Sequence, residues 1–187
     1  MTGLYILHSN KIIHSDVKPD NILFRNGIAK VADFSTANFE YIFDSGIVGT
    51  RYYRAPEVIL GLNLSSAIDI WSAGCVMFEL ISGNILFKPT KFAHISQSEN
   101  HIAAIIKLCG SIPNYMANGY YAYKYFPKNV RTLNDINRTI NIKRINRYSL
   151  RDILGDNSAI DLLEQMLQID PNKRASAKSL LQHHWFD

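Results

Sequence analysis

Cysteine is scarce in this chain, and its scarcity narrows the field. Among 187 residues there are two, Cys75 and Cys109. Neither belongs to a CxxC pair or has His or Asp neighbours at ligand spacing, so buried thiols are expected rather than a disulfide or a zinc site. Long apolar runs are missing as well. The best of them, Cys75 to Ile81, carries Glu79 and falls far short of the roughly 20 residues that span a bilayer. Residues 1–7 have neither the basic start nor the long apolar core of a secretory signal. The expectation is a protein of the cytoplasm or nucleus with no membrane partner. Acidic charge is thin where basic charge gathers. Between 111 and 151 the acidic residue is Asp135, set against Lys124, Lys128, Arg131, Arg138, Lys143, Arg144, Arg147 and Arg151. Such a cluster can meet phosphates. It has no nucleic-acid module and no regular aromatic platforms, despite Tyr120, Tyr121, Tyr123 and Tyr125. A solvated basic surface is therefore expected, with nucleic acid a minor alternative.

What the chain does have is enough apolar material for a core. Its hydrophobic content is 47%, and its length suits one domain over 1–187. Leu4 to His8 reads as the last turns of a helix, ended by Asn10 before a buried extended Ile12-Ile13. Asn26-Gly27 between Ile22-Leu23-Phe24 and Ala29-Lys30-Val31-Ala32 is a strong hairpin signal. Residues 66–82 form a helix that Ser65 or Ser66 can cap and Gly83 ends. Its apolar residues lie almost all round it, which puts it in the middle of a core. A second helix runs from His101 to Cys109. Residues 111–150 read as irregular, residues 159–167 as an amphipathic helix, and Asp170-Pro171-Asn172 as a turn. Ser176 caps a final helix ending near Trp185.

The densest chemistry lies in His14-Ser15-Asp16-Val17-Lys18-Pro19-Asp20-Asn21, followed by Asp33-Phe34-Ser35. A carboxylate, an ammonium and a carboxamide share one short loop. The hairpin between the two segments brings Asp33, a further carboxylate, beside them. Together they can hold a hydroxyl, a transferring phosphoryl group and Mg²⁺. Each residue alone is weak evidence, since an Asp after a strand is usually structural. The joint pattern HxDxKxxN, hairpin and DFx is strong, and it is joined by Gly49-Thr50-Arg51-Tyr52-Tyr53-Arg54-Ala55-Pro56-Glu57-Val58.

On these motifs the chain resembles the C-terminal lobe of a eukaryotic protein kinase. Asp69-Ile70-Trp71-Ser72-Ala73-Gly74 and Pro171-Asn172-Lys173-Arg174-Ala175 extend the likeness over essentially the whole chain. The resemblance implies a mainly α fold, with a short β-hairpin carrying the catalytic loop and the metal-binding motif. It implies ATP and Mg²⁺ as cofactors and transfer of the γ-phosphate of ATP to serine or threonine hydroxyls of a protein substrate. Asp16 would orient or deprotonate the hydroxyl, Lys18 would stabilise the phosphoryl charge, and Thr50 would bridge the two. Asn21 and Asp33 would hold the metal. His14, Arg54, Glu57, Asp69 and Arg174 would be structural, with Glu57 paired to Arg174 and Asp69 supporting the loop. Within the CMGC group the chain looks most like the SR-protein kinases, through Leu7-His8-Ser9, Ile12 to Asp16 and Glu99 to Gly110. That likeness makes Arg-Ser-rich, splicing-type proteins the candidate substrate, although the basic stretch 111–151 would repel them unless they dock elsewhere, for instance near Asp44 or Glu99.

Three departures stand out. Ser15 replaces the usual loop arginine, so no dependence on an activation-segment phosphate is expected. Ser35 replaces the glycine of Asp-Phe-Gly and has less backbone freedom, which would restrict movement of Asp33. No GxGxxG loop, Ala-x-Lys strand or glutamate-bearing helix precedes His14. The expectations are an isolated chain with little activity and an exposed apolar face that a separate partner would cover. The alternative is a truncated pseudokinase that acts as a protein-binding module.

Overall fold

The structure is a computed structural model that describes residues 1–40, 46–91, 96–125 and 148–186. It opens with helix α1 (Thr2–Ser9), whose end is fixed by Asn10, the amide of which donates to Ile6 O at 2.8 Å. Strand β1 (Ile12–Ile13) leads into the loop bearing Asp16. Strands β2 (Ile22–Arg25) and β3 (Ile28–Val31) pair antiparallel, Ile22 opposite Val31 and Arg25 opposite Ile28. Asn26 and Gly27 both take positive φ, 51° and 76°, the backbone that a two-residue hairpin turn requires and that Asn-Gly supplies. Strand β4 (Asn38–Phe39) returns to pair with β1, so the segment after Asp33 is laid beside the segment before His14.

Helices α2 (Pro56–Leu60) and α3 (Ala67–Ser82) follow. The all-round apolar pattern of α3 places it centrally as expected. Ile68, Ile70, Trp71, Cys75, Val76 and Phe78 are buried, and Trp71 stacks on Phe87 at 5.8 Å. A buried side chain of this size contributes about 1.5–3 kcal/mol relative to its exposed state. Gly83 ends the helix in the left-handed region. Ser65 Oγ accepts from Ala67 N–H at 3.4 Å, whereas the side chain of Ser66 caps nothing. Helix α4 runs from Gln97 to Cys109, starting before the expected His101 because Ser96 and Glu99 form a reciprocal capping box.

Short 3-10 turns at Asn114–Asn118 and Ala122–Lys124 give order to part of the stretch expected to be irregular. Helices α5 (Leu150–Leu154) and α6 (Ile160–Met166) follow, and α6 packs on α3. Ser176 caps α7 (Ala177–Leu180) through Ser179 N–H. That helix stops well before Trp185, and a separate 3-10 turn covers His184–Phe186. Among the described residues the fold is mainly helical with one short hairpin. Cys75 is buried and Cys109 half-buried, with no disulfide between them. Asp44 and the basic residues from Lys128 to Arg147 lie outside the described residues. No helix among the described residues is long and apolar enough to cross a membrane.

Candidate active site

Asp16 follows β1 and precedes the 3-10 turn Pro19–Asn21. Its carboxylate joins three other residues. Oδ1 accepts from both the N–H and the hydroxyl of Thr50, each at 2.7 Å. Oδ2 meets Lys18 Nζ at 2.9 Å, and the same ammonium donates to Thr50 Oγ1 at 3.3 Å. Thr50 therefore bridges the carboxylate and the ammonium. Asn21 Nδ2 donates to the Asp16 carbonyl at 2.8 Å and to its Oδ2 at 3.3 Å. This fixes the carboxamide's orientation and leaves its oxygen for another partner. Burial pushes the Asp16 carboxyl up, but the hydrogen bonds from Lys18 and Thr50 outweigh it and hold the group below the usual carboxylate range. Lys18 is raised, first by its bond to Asp16, with desolvation opposing and the charges of Asp16, Asp20 and Asp33 adding.

Asp33 follows β3 with φ 61°, a left-handed conformation that Asp tolerates better than most residues. Its carboxylate is exposed, and its Oδ1 accepts from Ser35 Oγ at 2.7 Å and Ser35 N–H at 3.2 Å. These two bonds hold its pKa down. His14 ties this strand end to the catalytic loop. Its Nδ1 accepts from Asp16 N–H at 3.3 Å, so Nε2 carries the proton and donates to Ala32 O at 2.9 Å. Both ring nitrogens are thus spent on structure.

Asp69 of α3, itself buried, supports the loop from beneath. Its oxygens accept from His14 N–H at 2.8 Å, Ser15 N–H at 2.9 Å and His8 Nε2 at 2.9 Å. Ser15 sits at φ 71°, a conformation that costs about 1–3 kcal/mol and persists only when its surroundings impose it. The Asp69 carboxylate is that surrounding. Glu57 and Arg174 form a buried two-pronged pair at 2.5 and 3.0 Å. The remaining guanidinium protons go to the carbonyls of Gln168, Ala67 and Ile169. Arg54 donates to Val48 O at 3.0 Å and Gly49 O at 2.6 Å, which shapes the backbone just before Thr50.

Every candidate catalytic, metal-holding and supporting residue read from the sequence lies among the described residues, whereas the docking candidate Asp44 does not. Asp16, Lys18, Asn21 and Thr50 form one hydrogen-bonded group, and Asp33 is joined to it through His14 and Ala32. Three further contributors were missed. His8 and Glu40 have no local signal, because their partners Asp69 and Ser66 are remote in sequence. Tyr53 donates its hydroxyl to Glu79 Oε2 at 2.7 Å, anchoring the segment after Thr50 to α3. A carboxylate and a carboxamide oxygen suit a hard cation such as Mg²⁺, which takes oxygen ligands and keeps several waters.

A different group, Asp161, His183 and His184, also brings potential ligand atoms within 4.8 Å of one another. It involves none of the residues above. His183 Nδ1 accepts from Trp185 N–H at 3.2 Å, which leaves the proton on Nε2, 2.8 Å from Asp161. A metal at Nε2 would have to displace that proton and break the ring's contact with Asp161. The group is a satisfied His–Asp pair at the end of the domain.

The chain matches the protein kinase domain family model over residues 1–186. It is 34% identical to the dual specificity protein kinase CLK2 of Mus musculus, over 96% of this chain and 40% of that protein. It is 35% identical to the serine/threonine-protein kinase SKY1 of Saccharomyces cerevisiae, over 98% of this chain and 25% of that one. With the mitogen-activated protein kinase hog1 of Trichoderma harzianum it shares 36% identity, over 99% of this chain and 49% of the other. The chain spans less than half the length of these curated relatives.

Proposed function

Since the chain belongs to the protein kinase domain family, we propose that it carries the substrate-side and metal-side groups of an ATP-dependent serine/threonine kinase, as a partial kinase domain equivalent to the C-terminal lobe. The observation that carries this is the closed arrangement of Asp16, Lys18 and Thr50 with Asn21 bonded to Asp16. Asp16 is ionised at neutral pH and has a carboxylate edge able to receive the proton of an incoming hydroxyl. Lys18 stands 2.9 Å from it, where positive charge offsets the charge that builds on a transferring phosphoryl group. Thr50 fixes the distance between the two.

Asn21 and Asp33 would hold Mg²⁺. When bound, the cation neutralises phosphate charge and helps align the nucleotide. His14, Asp69, Arg54, Glu57 and Arg174 hold the loops in place and do not touch the reacting atoms.

Likeness to CMGC-group kinases such as CLK2 and SKY1 supports a protein substrate. Arg-Ser-rich proteins are the specific candidates. The test is phosphate transfer from labelled ATP, by the longest native product containing this chain, to matched Arg-Ser, acidic and proline-directed peptides. We expect Mg²⁺-dependent transfer that is lost in Asp16→Asn and Asp33→Ala, with Arg-Ser peptides preferred. Transfer without that preference would sink the substrate class alone.

One observation favours a second reading, a pseudokinase that binds a protein partner. Leu4, Leu7, Val17, Val31, Met77 and Leu80 line a largely apolar cavity of about 780 Å³, and of its lining Ile6, Ile28, Phe34 and Leu80 are exposed. Apolar surface of this kind marks an interaction face. Partner binding that ignores Asp33→Ala, with no nucleotide binding, would favour it.

A further inference from the structure

Glu40 lies just past β4, and nothing in the motifs marks it. Its carboxylate nevertheless ends on the first turn of the central helix. Oε1 accepts from Ser66 N–H at 3.2 Å and from Ser66 Oγ at 3.1 Å, while Oε2 stands 3.5 Å from Lys11 Nζ. Its own N–H donates to Lys11 O at 2.9 Å. The start of α3, left uncapped by the Ser66 side chain, is therefore supplied with an acceptor by a residue far away in sequence. A carboxylate suits that position, because the unpaired N–H groups of a helix's first turn favour negative charge.

The connections close a ring. β4 pairs with β1, β1 runs into His14 and Ser15, and their N–H groups are held by Asp69. Asp69 belongs to the first turn of α3, next to Ser66, and Ser66 is held by Glu40, which returns the path to β4. Within this ring lie Asp33, Ser35 and Thr36, whose hydroxyl donates to His14 O at 3.2 Å. The backbone here spends little on regular structure, since β1 and β4 are two residues each. Pairing that short does not hold a segment without side-chain support.

We propose that Glu40 is a positioning residue, a built-in carboxylate clamp that fasten-locks β4 to the start of α3 and so holds Asp33 and the Asp16 loop in their working arrangement. The clamp rests on the kinase reading only for its effect on transfer, since its effect on the backbone stands independently. Salt bridging to Lys11 is the lesser part, because Lys11 is well exposed and such pairs contribute little. The acceptor role towards Ser66 is the greater.

Three variants separate these parts in the longest native product containing this chain: Glu40→Ala, Glu40→Gln and the exchange Lys11→Glu with Glu40→Lys. Hydrogen exchange is followed on peptides covering 31–40 and 46–54, beside transfer kinetics with ATP and peptide. Glu40→Ala is expected to speed exchange at least tenfold in residues 33–40 and to lower kcat about tenfold, with melting of the whole domain little changed. Glu40→Gln keeps an acceptor for Ser66 and should restore most of the protection, whereas the exchanged pair, which cannot accept from Ser66 N–H, should not. Unaltered exchange in Glu40→Ala would overturn the clamp, and so would full protection in the exchanged pair. Faster exchange in a chain that transfers no phosphate would uphold the clamp and count against the kinase reading instead.

Discussion

Gly49, which opens the motif that runs to Val58, carries a backbone constraint of its own. Its φ is 74°, and a Cβ built there would lie 2.7 Å from the carbonyl oxygen of Ser15. Left-handed backbone costs an L-residue about 1–2 kcal/mol, and here the neighbour is backbone that Asp69 already pins. Gly49→Ala is therefore expected to push Thr50 away from Asp16 as well as to destabilise the domain by at least about 1–2 kcal/mol. A urea midpoint and a transfer assay on the same preparation would read both effects. Unaltered values in both would mean that the two loops are not in contact. Thr50 itself separates bond from backbone, because its N–H remains whatever the side chain. Thr50→Val loses the hydroxyl bond to Asp16, and hydrogen bonds to charged groups contribute about 1.5–3 kcal/mol, so kcat should fall about 10- to 100-fold. Asp16 would lose one of the bonds that depress its pKa, and the acid limb of the pH–rate profile should move upward. Thr50→Ser should keep both near the wild-type values. A Thr50→Val profile that stays in place would show that Lys18 and the Thr50 N–H set the ionisation of Asp16 without help from the hydroxyl.

Between elements, the strongest tie is the pair joining α2 to the segment after α6. Arg174 has its guanidinium completely bonded and over the ring of Trp71 at 5.0 Å. Removing one partner of such a buried pair strands the other, at a cost of about 3–5 kcal/mol. Arg174→Met is expected to show that loss in urea denaturation, and Arg174→Met combined with Glu57→Leu to recover a large part of it. A double variant as unstable as the single one would locate the cost in the lost carbonyl bonds rather than in the stranded carboxylate. This pair was legible in the sequence only through family likeness, since nothing local links positions so far apart. The hairpin was legible locally, because Asn-Gly supplies the two positive φ values that the turn demands. So was the start of α4, where Ser96 and Glu99 have capping-box spacing that an apolar count beginning at His101 passes over. Glu40 was not legible at all. Its partner is a backbone N–H, and no residue type at Ser66 announces that need. The same holds for His8, whose role depends on where α3 passes under α1.

At the scale of the whole molecule, burial of a titratable ring in the core sets how the fold answers to acid. His101 of α4 is buried against Phe87, their rings 5.6 Å apart, and neither of its nitrogens has a hydrogen-bond partner among the described residues. Desolvation, with the positive charges of Arg54 and Arg51 adding, lowers its pKa from 6.5 to about 3. The folded protein thus refuses a proton that the unfolded chain accepts below pH 6.5. Stability is at its full value above that pH and falls as the pH drops from 6.5 towards 3, by up to about 1.4 kcal/mol per unit. The carboxylates Asp16, Asp33 and Glu40, all with lowered pKa, add their own loss only below the ordinary carboxylate range. Two acid phases are therefore expected, and the one nearer neutrality belongs to His101. His101→Phe keeps a ring beside Phe87 and cannot take up a proton. Urea midpoints measured from pH 7.5 down to pH 5 should decline in the parent chain and stay level in His101→Phe. A parallel decline in both would assign the near-neutral phase to a group other than His101.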